Sequence, residues 1–399
     1  MKNYTIALEI SHRYIKVVFG YFADGKVFIN FAKKYPINHL LENGFIKEKP
    51  ALIKELQKIN PVTDDEYHFN ELINNVSLVL PPYGLEVYRT KQITSVISPE
   101  KIIGELDIKN IYSIIRNKRL PVDNELIDIV PEAFVIDNGN VYAQAPIGKT
   151  SSAINAFAKV HTIPKRINQD YSEVLKNANI LVSRRAVSSF LEVELLSTYP
   201  NVPDAYFLVD IGAASTSVSL VGKKQLFATR SFSWGGDNIT DRIISKFNIS
   251  EAEAEKIKIL YGLDKRELKF DYSVCTVDTE EGQYRHPVQE LNGLIEIELE
   301  AFYKMLVVAI EQLAETYKVV DYQQMPILLV GGGSKLRGIV PFIVSKNTFT
   351  NIEAISPSTI GARDPSLFAV LGAIYVNQKY PNTSVGDKKP NVNVSREED

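Results

Sequence analysis

Two similar segments carry residue types that suit a phosphorylated ligand. The first, ALEISHRYIKVVFGYFADGKVFINFA, covers residues 7–32, and the second, FLVDIGAASTSVSLVGKKQLFATRSF, covers residues 207–232. In each, an apolar strand ends in a carboxylate, Glu9 or Asp210, and is followed by a short loop and two more strands. A carboxylate at such a place can hold magnesium through water, and glycine lets backbone N–H groups approach phosphate oxygens. The duplication therefore predicts a nucleotide site between two related halves of the chain, with Glu9 and Asp210 as the candidate magnesium-binding residues.

The two loops differ in composition. The candidate phosphate-binding residues of the second loop are Gly212, Ala213, Ala214 and Ser215. Those of the first loop, which has no glycine, are Ser11, His12, Arg13 and Tyr14, with Lys16 on the next strand. The Arg13 guanidinium can pair with phosphate oxygens. The alternative is that His12 and Arg13 point into solvent, and either loop taken alone would also be typical of an ordinary hairpin.

Three other stretches complete the candidate site. The glycine turn VGGGSK, between an apolar strand and a helix, offers Gly331, Gly332, Gly333, Ser334 and Lys335 to a flat purine. Glu255 and Lys258 lie one helical turn apart and can hydrogen-bond the hydroxyls of a ribose. Taken alone, this pair would be typical of a solvated helix face. The stretch WGGDNIT adds Gly235, Gly236 and Asn238. Asp237 is a candidate catalytic base that we expect to be exposed, but helix capping explains this residue equally well. We therefore find no convincing catalytic base.

Composition sets limits on the class of protein. The chain has 399 residues, 45% of them apolar and 23% charged, which predicts a soluble globular protein of two or three domains. A net charge of −3 gives no basic field for nucleic acid or for an anionic membrane surface. One cysteine, Cys275, excludes an internal disulfide and, with no secretory signal, indicates the cytoplasm. Five histidines without ligand spacing give little case for a zinc site.

The elements that must position these residues follow from periodicity. The stretch NNVSLVLPP predicts a buried strand, and residues 83–164 have a mixed pattern, with helices near Ser98 and Ile108, that suggests an inserted subdomain. GGDNITDRIISKF predicts a helix capped by Asp or Asn, and Ser250 with Glu253 predicts a capping box. A long amphipathic helix is predicted by an apolar stripe of Ile295, Leu299, Phe302, Leu306, Ile310 and Leu313. The polar segment after Tyr380 is predicted to be disordered.

At this point the sequence resembles the FtsA family of actin-like bacterial cell-division proteins. WGGDNITDRIISKFNISEAEAEKIKILYG, residues 234–262, is similar to the family's GG-D-x-I-T segment followed by A-E-x-x-K-x-x-Y-G. LPVDNELIDIVPEAFVIDNG and APIG resemble elements of the family's inserted subdomain, and LLVGGGSKLRGIVPF resembles its turn beside adenine. The resemblance covers residues 4–380.

The resemblance implies an α/β, actin-like, duplicated ATPase fold with two lobes around a nucleotide cleft. It implies subdomain 1A at residues 1–82 and 165–200, an inserted subdomain 1C at 83–164, subdomain 2A at 201–235 and 321–380, subdomain 2B at 236–320, and a disordered tail at 381–399. It also implies ATP and magnesium as cofactors, self-association into filaments, and binding of the FtsZ C-terminal tail by subdomain 2B. The expected place is the division site, on the cytoplasmic face of the cell membrane.

The sequence departs from the family at three places. Ser11 and His12 stand where the family has Gly-Thr, and Ala213 with Ala214 where glycines are usual, so we expect ATP to be bound with little or no hydrolysis. The end of the chain, NVNVSREED, lacks the apolar stripe of an interfacial helix, which indicates indirect membrane attachment or a missing C-terminal segment.

Three other interpretations stay open. One is an actin-like scaffold of pilus assembly resembling PilM, and another is a sugar or acetate kinase of the same superfamily. The third is a scaffold of this fold whose nucleotide site has decayed.

Overall fold

The computed structural model describes residues 4–37, 39–263, 272–280 and 282–380, and the predicted disordered tail lies outside them. The helices are α1 (Lys49–Lys58), α2 (Glu105–Arg116), α3 (Lys165–Asn177), α4 (Ser188–Leu196), α5 (Gly236–Phe247), α6 (Glu251–Tyr261), α7 (Val288–Tyr317), α8 (Ile339–Val344) and α9 (Phe368–Lys379). Short 3-10 turns cover Tyr322–Gln324, Gly332–Lys335 and Pro365–Leu367.

The strands of the described residues, in chain order, are β1 (Thr5–Ile10), β2 (Tyr14–Ala23), β3 (Lys26–Pro36), β4 (Leu41–Glu42), β5 (Phe45–Ile46), β6 (Val62–Asp64), β7 (Phe69–Glu71), β8 (Asn75–Leu80), β9 (Glu86–Ser95), β10 (Asn124–Ile136), β11 (Val141–Tyr142), β12 (Ala153–Pro164), β13 (Leu181–Val187), β14 (Tyr206–Ile211), β15 (Thr216–Gly222), β16 (Gln225–Phe232), β17 (Ser273–Thr279), β18 (Gly282–Pro287), β19 (Ile327–Val330) and β20 (Ile352–Ala354).

Two five-stranded sheets share one plan. Their strand orders are β3-β2-β1-β8-β13 and β16-β15-β14-β19-β20. In both, the first strand of a meander pairs antiparallel with the second and parallel with a later strand, β8 or β19. The duplication seen in the sequence is thus a duplication of sheets, and the loops after β1 and β14 occupy equivalent places at the carboxyl ends of their strands.

Helices α4 and α9 pack against each other between the two sheets. A side chain at Gly372 of α9 would meet the backbone oxygen of Leu191 at 2.1 Å, so glycine permits this close approach. The buried face of α9, from Phe368 to Val376, belongs to the same core as β1 and β2. Helix α9, which lies within the range 321–380 predicted for subdomain 2A, thus packs on the first sheet.

Residues between β8 and α3 form a separate four-stranded sheet, ordered β11-β10-β12-β9, with α2 against it and a core of its own. Two buried cationic side chains join this sheet to the rest of the molecule by hydrogen bonds. The Arg184 guanidinium donates to both carboxylate oxygens of Asp128, at 2.9 and 3.1 Å, and neither side chain is exposed. Lys159 Nζ donates to Gln225 Oε1 and to the Leu226 carbonyl, which joins β12 to the second five-stranded sheet.

One predicted helix is absent and one predicted cap is different. The prediction of a helix near Ser98 is wrong. Lys101 has φ +57°, Ile102 pairs with Thr150 in an isolated β-bridge, and the helix of this segment begins at Glu105. The N-cap of helix α5 is Gly235 and not the predicted Asp or Asn. The Gly235 amide donates to Asn238 Oδ1, inside the first turn.

The other helix predictions agree with the structure. The capping box of Ser250 and Glu253 is present at the start of α6. The whole predicted apolar stripe of α7 is buried. No helix within residues 4–37, 39–263, 272–280 and 282–380 is long and apolar enough to cross a bilayer.

The junction of the inserted sheet contains a buried histidine that predicts acid sensitivity. His161 is fully buried against Phe190, and among the described residues neither ring nitrogen has a hydrogen-bond partner. Burial, with help from the Lys159 and Arg184 charges, lowers the pKa of His161 to about 3. Below pH ~6.5 the unfolded chain binds a proton that the folded chain cannot, so stability falls as the pH decreases from that point, by about 2 kcal/mol at pH 5.

We therefore expect His161→Phe to flatten the loss of unfolding free energy between pH 7 and pH 5, as measured by urea unfolding. His68→Phe, at an exposed histidine, is the control and should keep the wild-type pH dependence. A His161→Phe protein that loses as much stability over this interval as the wild type would contradict the assignment.

Candidate functional site

A cavity of about 330 Å³ lies between the two lobes, where the loops after β1 and β14 face each other. Its size falls in the range of small-molecule sites. The predicted site residues that line it are Glu9, Ser11, His12, Arg13, Tyr14, Lys16, Asp210, Gly212, Ala213, Ala214, Ser215, Gly236, Glu255, Lys258, Gly331, Gly332, Gly333 and Lys335. Residues more than 300 positions apart in the chain thus meet in one place.

Three predicted residues support the wall instead of lining it. Gly235 packs so closely on the second loop that an added side chain would lie 2.3 Å from the Ala213 oxygen. Asn238 accepts the hydrogen bond from the Gly235 amide. Ser334 is buried, and its hydroxyl donates to the Gly331 carbonyl.

The two loops have the same backbone turn. The Gly212 amide donates to the Ser215 carbonyl at 2.9 Å, and the Ser11 amide donates to the Tyr14 carbonyl at 2.9 Å. Ser11 therefore occupies the position of Gly212, and its hydroxyl donates to the same Tyr14 carbonyl. The serine is accommodated within the turn, so the missing glycine has not changed the path of the first loop.

The second loop has backbone donors to offer. The amides of Gly236 and Asp237, at the start of α5, donate to the carbonyls of Gly212 and Ala213. Within the described part of the chain, the amides of Ala213, Ala214 and Ser215 have no acceptor. Consecutive N–H groups of this kind form a concave site for an anion.

A cluster of carboxylates surrounds one lysine at the base of the cavity. Lys16 Nζ donates to Glu9 Oε1 and to the Ser366 carbonyl, both at 2.8 Å. Burial raises the pKa of Asp210 to about 6, and the Glu9 charge adds to this effect while Lys16 opposes it. Burial and the neighbouring carboxylates Asp210 and Glu9 raise the pKa of Glu192 well above its ordinary value. Such a group of oxygens, with the charge of Lys16 among them, suits a hydrated divalent cation.

Sequence reasoning missed Glu192. The residue lies on α4, whose side chains are buried throughout, and its own side chain is only 3% exposed. A glutamate inside the apolar stretch SSFLEVELL was the signal that could have revealed it, since a buried carboxylate is rare without a partner.

Arg13 contacts the opposite lobe. Its guanidinium lies 2.5 Å from Asp237 Oδ1, 2.9 Å from Glu251 and 3.5 Å from Glu255. Asp237, expected to be exposed, is 9% exposed. Neither His12 nor Arg13 points into open solvent, and Arg13 closes the cleft through ion pairs that an incoming phosphate would have to share or replace.

The predicted ribose pair is also engaged within the protein. Lys258 Nζ donates to the Gly236 carbonyl, to Thr240 Oγ1 and to Glu255 Oε2, which uses all three of its donors. Burial lowers the pKa of Lys258. Burial alone would raise the pKa of Glu255, but contacts with Lys258 and Thr240 lower it. The ionised carboxylate is therefore favoured and can accept hydrogen bonds.

The glycine turn has room at only one of its three glycines. A side chain at Gly331, which has φ +82°, would lie 2.1 Å from Asp210 Oδ1, and one at Gly333 would lie 2.3 Å from Ile211 Cγ2. At Gly332 the nearest atom would be Ser366 Cβ at 3.9 Å. The first and third glycines hold the turn against β14, and the second leaves a flat surface on the cavity.

Comparison with known proteins shows similarity to one family of cell-division proteins. The model of the family "Cell division protein FtsA" matches residues 207–372. Cell division protein FtsA of Enterococcus faecalis is 23% identical over 378 residues, which is 92% of this chain and 82% of that protein. The protein of the same name from Bacillus subtilis is 22% identical over 77% of this chain and 69% of that protein.

Solved structures give the fold. The chain is similar to one in a PilM-PilN type IV pilus biogenesis complex, with a TM-score of 0.60, 18% identity and coverage of 93% of this chain and 97% of that one. MreB5 of Spiroplasma citri, solved with ADP, has a TM-score of 0.55, 12% identity, and coverage of 95% and 97%. The predicted actin-like fold is confirmed. The resemblance to FtsA that the motifs predicted is confirmed as well, and this chain is a divergent relative of the FtsA cell-division proteins.

Proposed function

We propose that this chain is an ATP-binding, actin-like cell-division protein that polymerises and links FtsZ filaments to the membrane at the division site. The observation that carries the proposal is the pair of equivalent loops facing each other across one cavity, in a chain whose relatives are named cell-division proteins. The adenine lies on the turn at Gly332, and the phosphates lie between the loops at Ser11–Tyr14 and Gly212–Ser215. Magnesium is held near Glu9 and Asp210 through water.

The residues present fit this ligand. The amides from Ala213 to Ser215, which have no acceptor among the residues that the structure describes, suit phosphate oxygens, and the carboxylates at the base suit a hydrated cation. Bound ATP then acts mainly as a structural ligand between the lobes.

Calorimetric titration of the purified full chain with ATP and magnesium tests the nucleotide part. We expect saturable binding that weakens when magnesium is removed. Absence of binding would favour the scaffold with a decayed site.

A second titration tests the partner. We propose that the FtsZ C-terminal tail binds the subdomain formed by residues 236–320, which includes α5, α6 and α7. A synthetic tail peptide should bind, and a peptide of the same composition in scrambled order should not. The similarity to a PilM structure supports the alternative of a pilus-assembly scaffold. Binding of ATP without binding of the FtsZ peptide would favour that alternative.

Self-association has a candidate surface in the inserted sheet. Large apolar side chains that are at least 41% exposed are frequent there, namely Ile93, Ile97, Ile102, Leu106, Ile114, Val122, Val141 and Ile147. Ile102 and Ile147 lie on segments joined by hydrogen bonds between Ile103 and Gly148 or Lys149, and Leu106 lies in the first turn of the adjoining helix α2. Exposed apolar groups of this kind mark association sites.

We expect Leu106→Glu to abolish sedimentable filaments formed with ATP, because it places a charge in the proposed contact. Leu106 is 65% exposed, so the fold should be retained, as circular dichroism will check. Leu72→Glu, at a leucine that is 57% exposed on the first lobe, is the matched control. Equal sedimentation of both variants and the wild type would remove this surface from the interface.

A further inference from the structure

Two imidazoles and a carboxylate converge at the mouth of the cleft. His12 lies in the loop after β1, His39 follows β3, and Asp237 lies in the first turn of α5. The distance from His39 Nδ1 to His12 Nε2 is 2.8 Å. The distance from His12 Nε2 to Asp237 Oδ2 is 3.5 Å. All three atoms lie within 4.8 Å of one another. Ligand atoms around a tetrahedral zinc ion are about 3.3 Å apart, so small side-chain movements would complete such a geometry.

The carboxylate is only half satisfied. Asp237 Oδ1 accepts from Arg13, whereas Oδ2 is buried and, among the described residues, accepts no hydrogen bond. Leaving a buried charged oxygen without a partner is costly. This oxygen faces the two histidines, so a cation bound between the three groups would supply the missing partner.

One of the histidines already has an outer contact of the kind that orients metal ligands. His39 Nε2 lies 3.5 Å from Glu251 Oε1. Contacts of a ligating histidine with a carboxylate or a backbone group are typical of metal sites. His39 also has φ +44°, an unusual conformation for a residue with a side chain, and it presents its ring to His12.

We propose that His12, His39 and Asp237 bind one divalent transition-metal ion, for which Zn²⁺ is the probe, and that this ion ties the first lobe to the second. Imidazole nitrogens favour zinc over magnesium, which prefers oxygen ligands. The ion lies at the edge of the cleft and does not require nucleotide. Linear spacing gave little case for zinc because the three ligands come from three separate segments, and Asp237 lies on the other lobe from the two histidines.

The test uses the full chain, free of nucleotide, in a Cys275→Ser background that removes the single thiol. Calorimetry with Zn²⁺ should give one equivalent, and Co²⁺ at the same site should give visible absorption bands of a low-coordinate nitrogen and oxygen set. We expect His39→Ala to weaken zinc binding at least tenfold and to abolish the rise in melting temperature that zinc produces. The His39 side chain is 51% exposed, so its loss should not affect folding.

Two further variants separate this site from adventitious binding. Asp237→Asn keeps the shape of the side chain and should also weaken zinc binding at least tenfold, although it lies on the other lobe. His68→Ala, at an exposed histidine away from the cluster, should bind zinc as the background protein does. No zinc binding by the background protein, or wild-type affinity in either His39→Ala or Asp237→Asn, would overturn the proposal.

Discussion

Gly332→Asp is expected to weaken ATP binding at least tenfold while the fold remains intact. The new side chain has room, because the nearest atom to its Cβ would be Ser366 Cβ at 3.9 Å, and it projects into the cavity. There it places a negative charge and added bulk where we propose that the purine lies, close to a ligand that is itself anionic. A carboxylate desolvated against the purine without a cation is costly, and a tenfold loss of affinity needs only about 1.4 kcal/mol.

The choice of glycine is essential to this experiment. Substitution at Gly331 or Gly333 would force a side chain into Asp210 or Ile211 and would test folding instead of binding. Gly293→Asp, on α7 with no atom within 4 Å of the added Cβ, controls for the change in net charge. If Gly332→Asp and Gly293→Asp bind ATP equally well in calorimetry, the adenine does not lie on this turn.

Local patterns explain which parts of the fold could be predicted. Alternating apolar residues and turn signals specify both meanders, and a 3.6-residue period specifies α7 over its whole length. The helix predicted near Ser98 failed for a non-local reason. Residues 98–101 form a turn that ends at Lys101 with φ +57°, and the pairing of Ile102 with Thr150 keeps the next residues out of a helix until Gly104.

The residues that line the cavity could be named from the sequence, but their contacts could not. Glycines and strand-end carboxylates point to the lining because they lie at the carboxyl ends of strands in the two equivalent sheets. No local signal, by contrast, links Arg13 to Asp237, which lies 224 positions away and becomes buried only when the lobes meet. The same distance along the chain conceals the cluster of His12, His39 and Asp237. Contacts between lobes depend on their relative placement, which a single sequence does not encode in any short pattern.

Lys16→Met is expected to reduce the unfolding free energy by about 3–5 kcal/mol, the usual cost of removing one partner from a buried ion pair. Lys16 is 7% exposed, and its ammonium group is the hydrogen-bond partner of Glu9. It also favours the ionised form of Asp210. Methionine fills similar volume, so the loss would come from charge and not from a cavity. Urea unfolding at neutral pH, without divalent cations, measures it.

The neighbouring strand provides a control. Lys34 pairs directly with Lys16 across β2 and β3, and its Nζ donates to Asp364 Oδ2 at 2.7 Å, but its side chain is 32% exposed. A partly solvated ion pair contributes little, so Lys34→Met should cost at most about 1 kcal/mol. A Lys16→Met protein as stable as Lys34→Met would show that the carboxylates at the base of the cavity do not need the lysine.

Magnesium gives the same variant a second outcome. If Glu9 and Asp210 hold a hydrated cation as proposed, removal of Lys16 leaves more negative charge around that position, and Mg²⁺ should bind more tightly to the variant than to the wild type. Millimolar Mg²⁺ should then restore part of the lost stability in Lys16→Met and change Lys34→Met hardly at all, because a ligand stabilises only the state that binds it. Equal responses of the two variants to Mg²⁺ would place the cation elsewhere, since the charge removed at Lys16 would then have no effect on its binding.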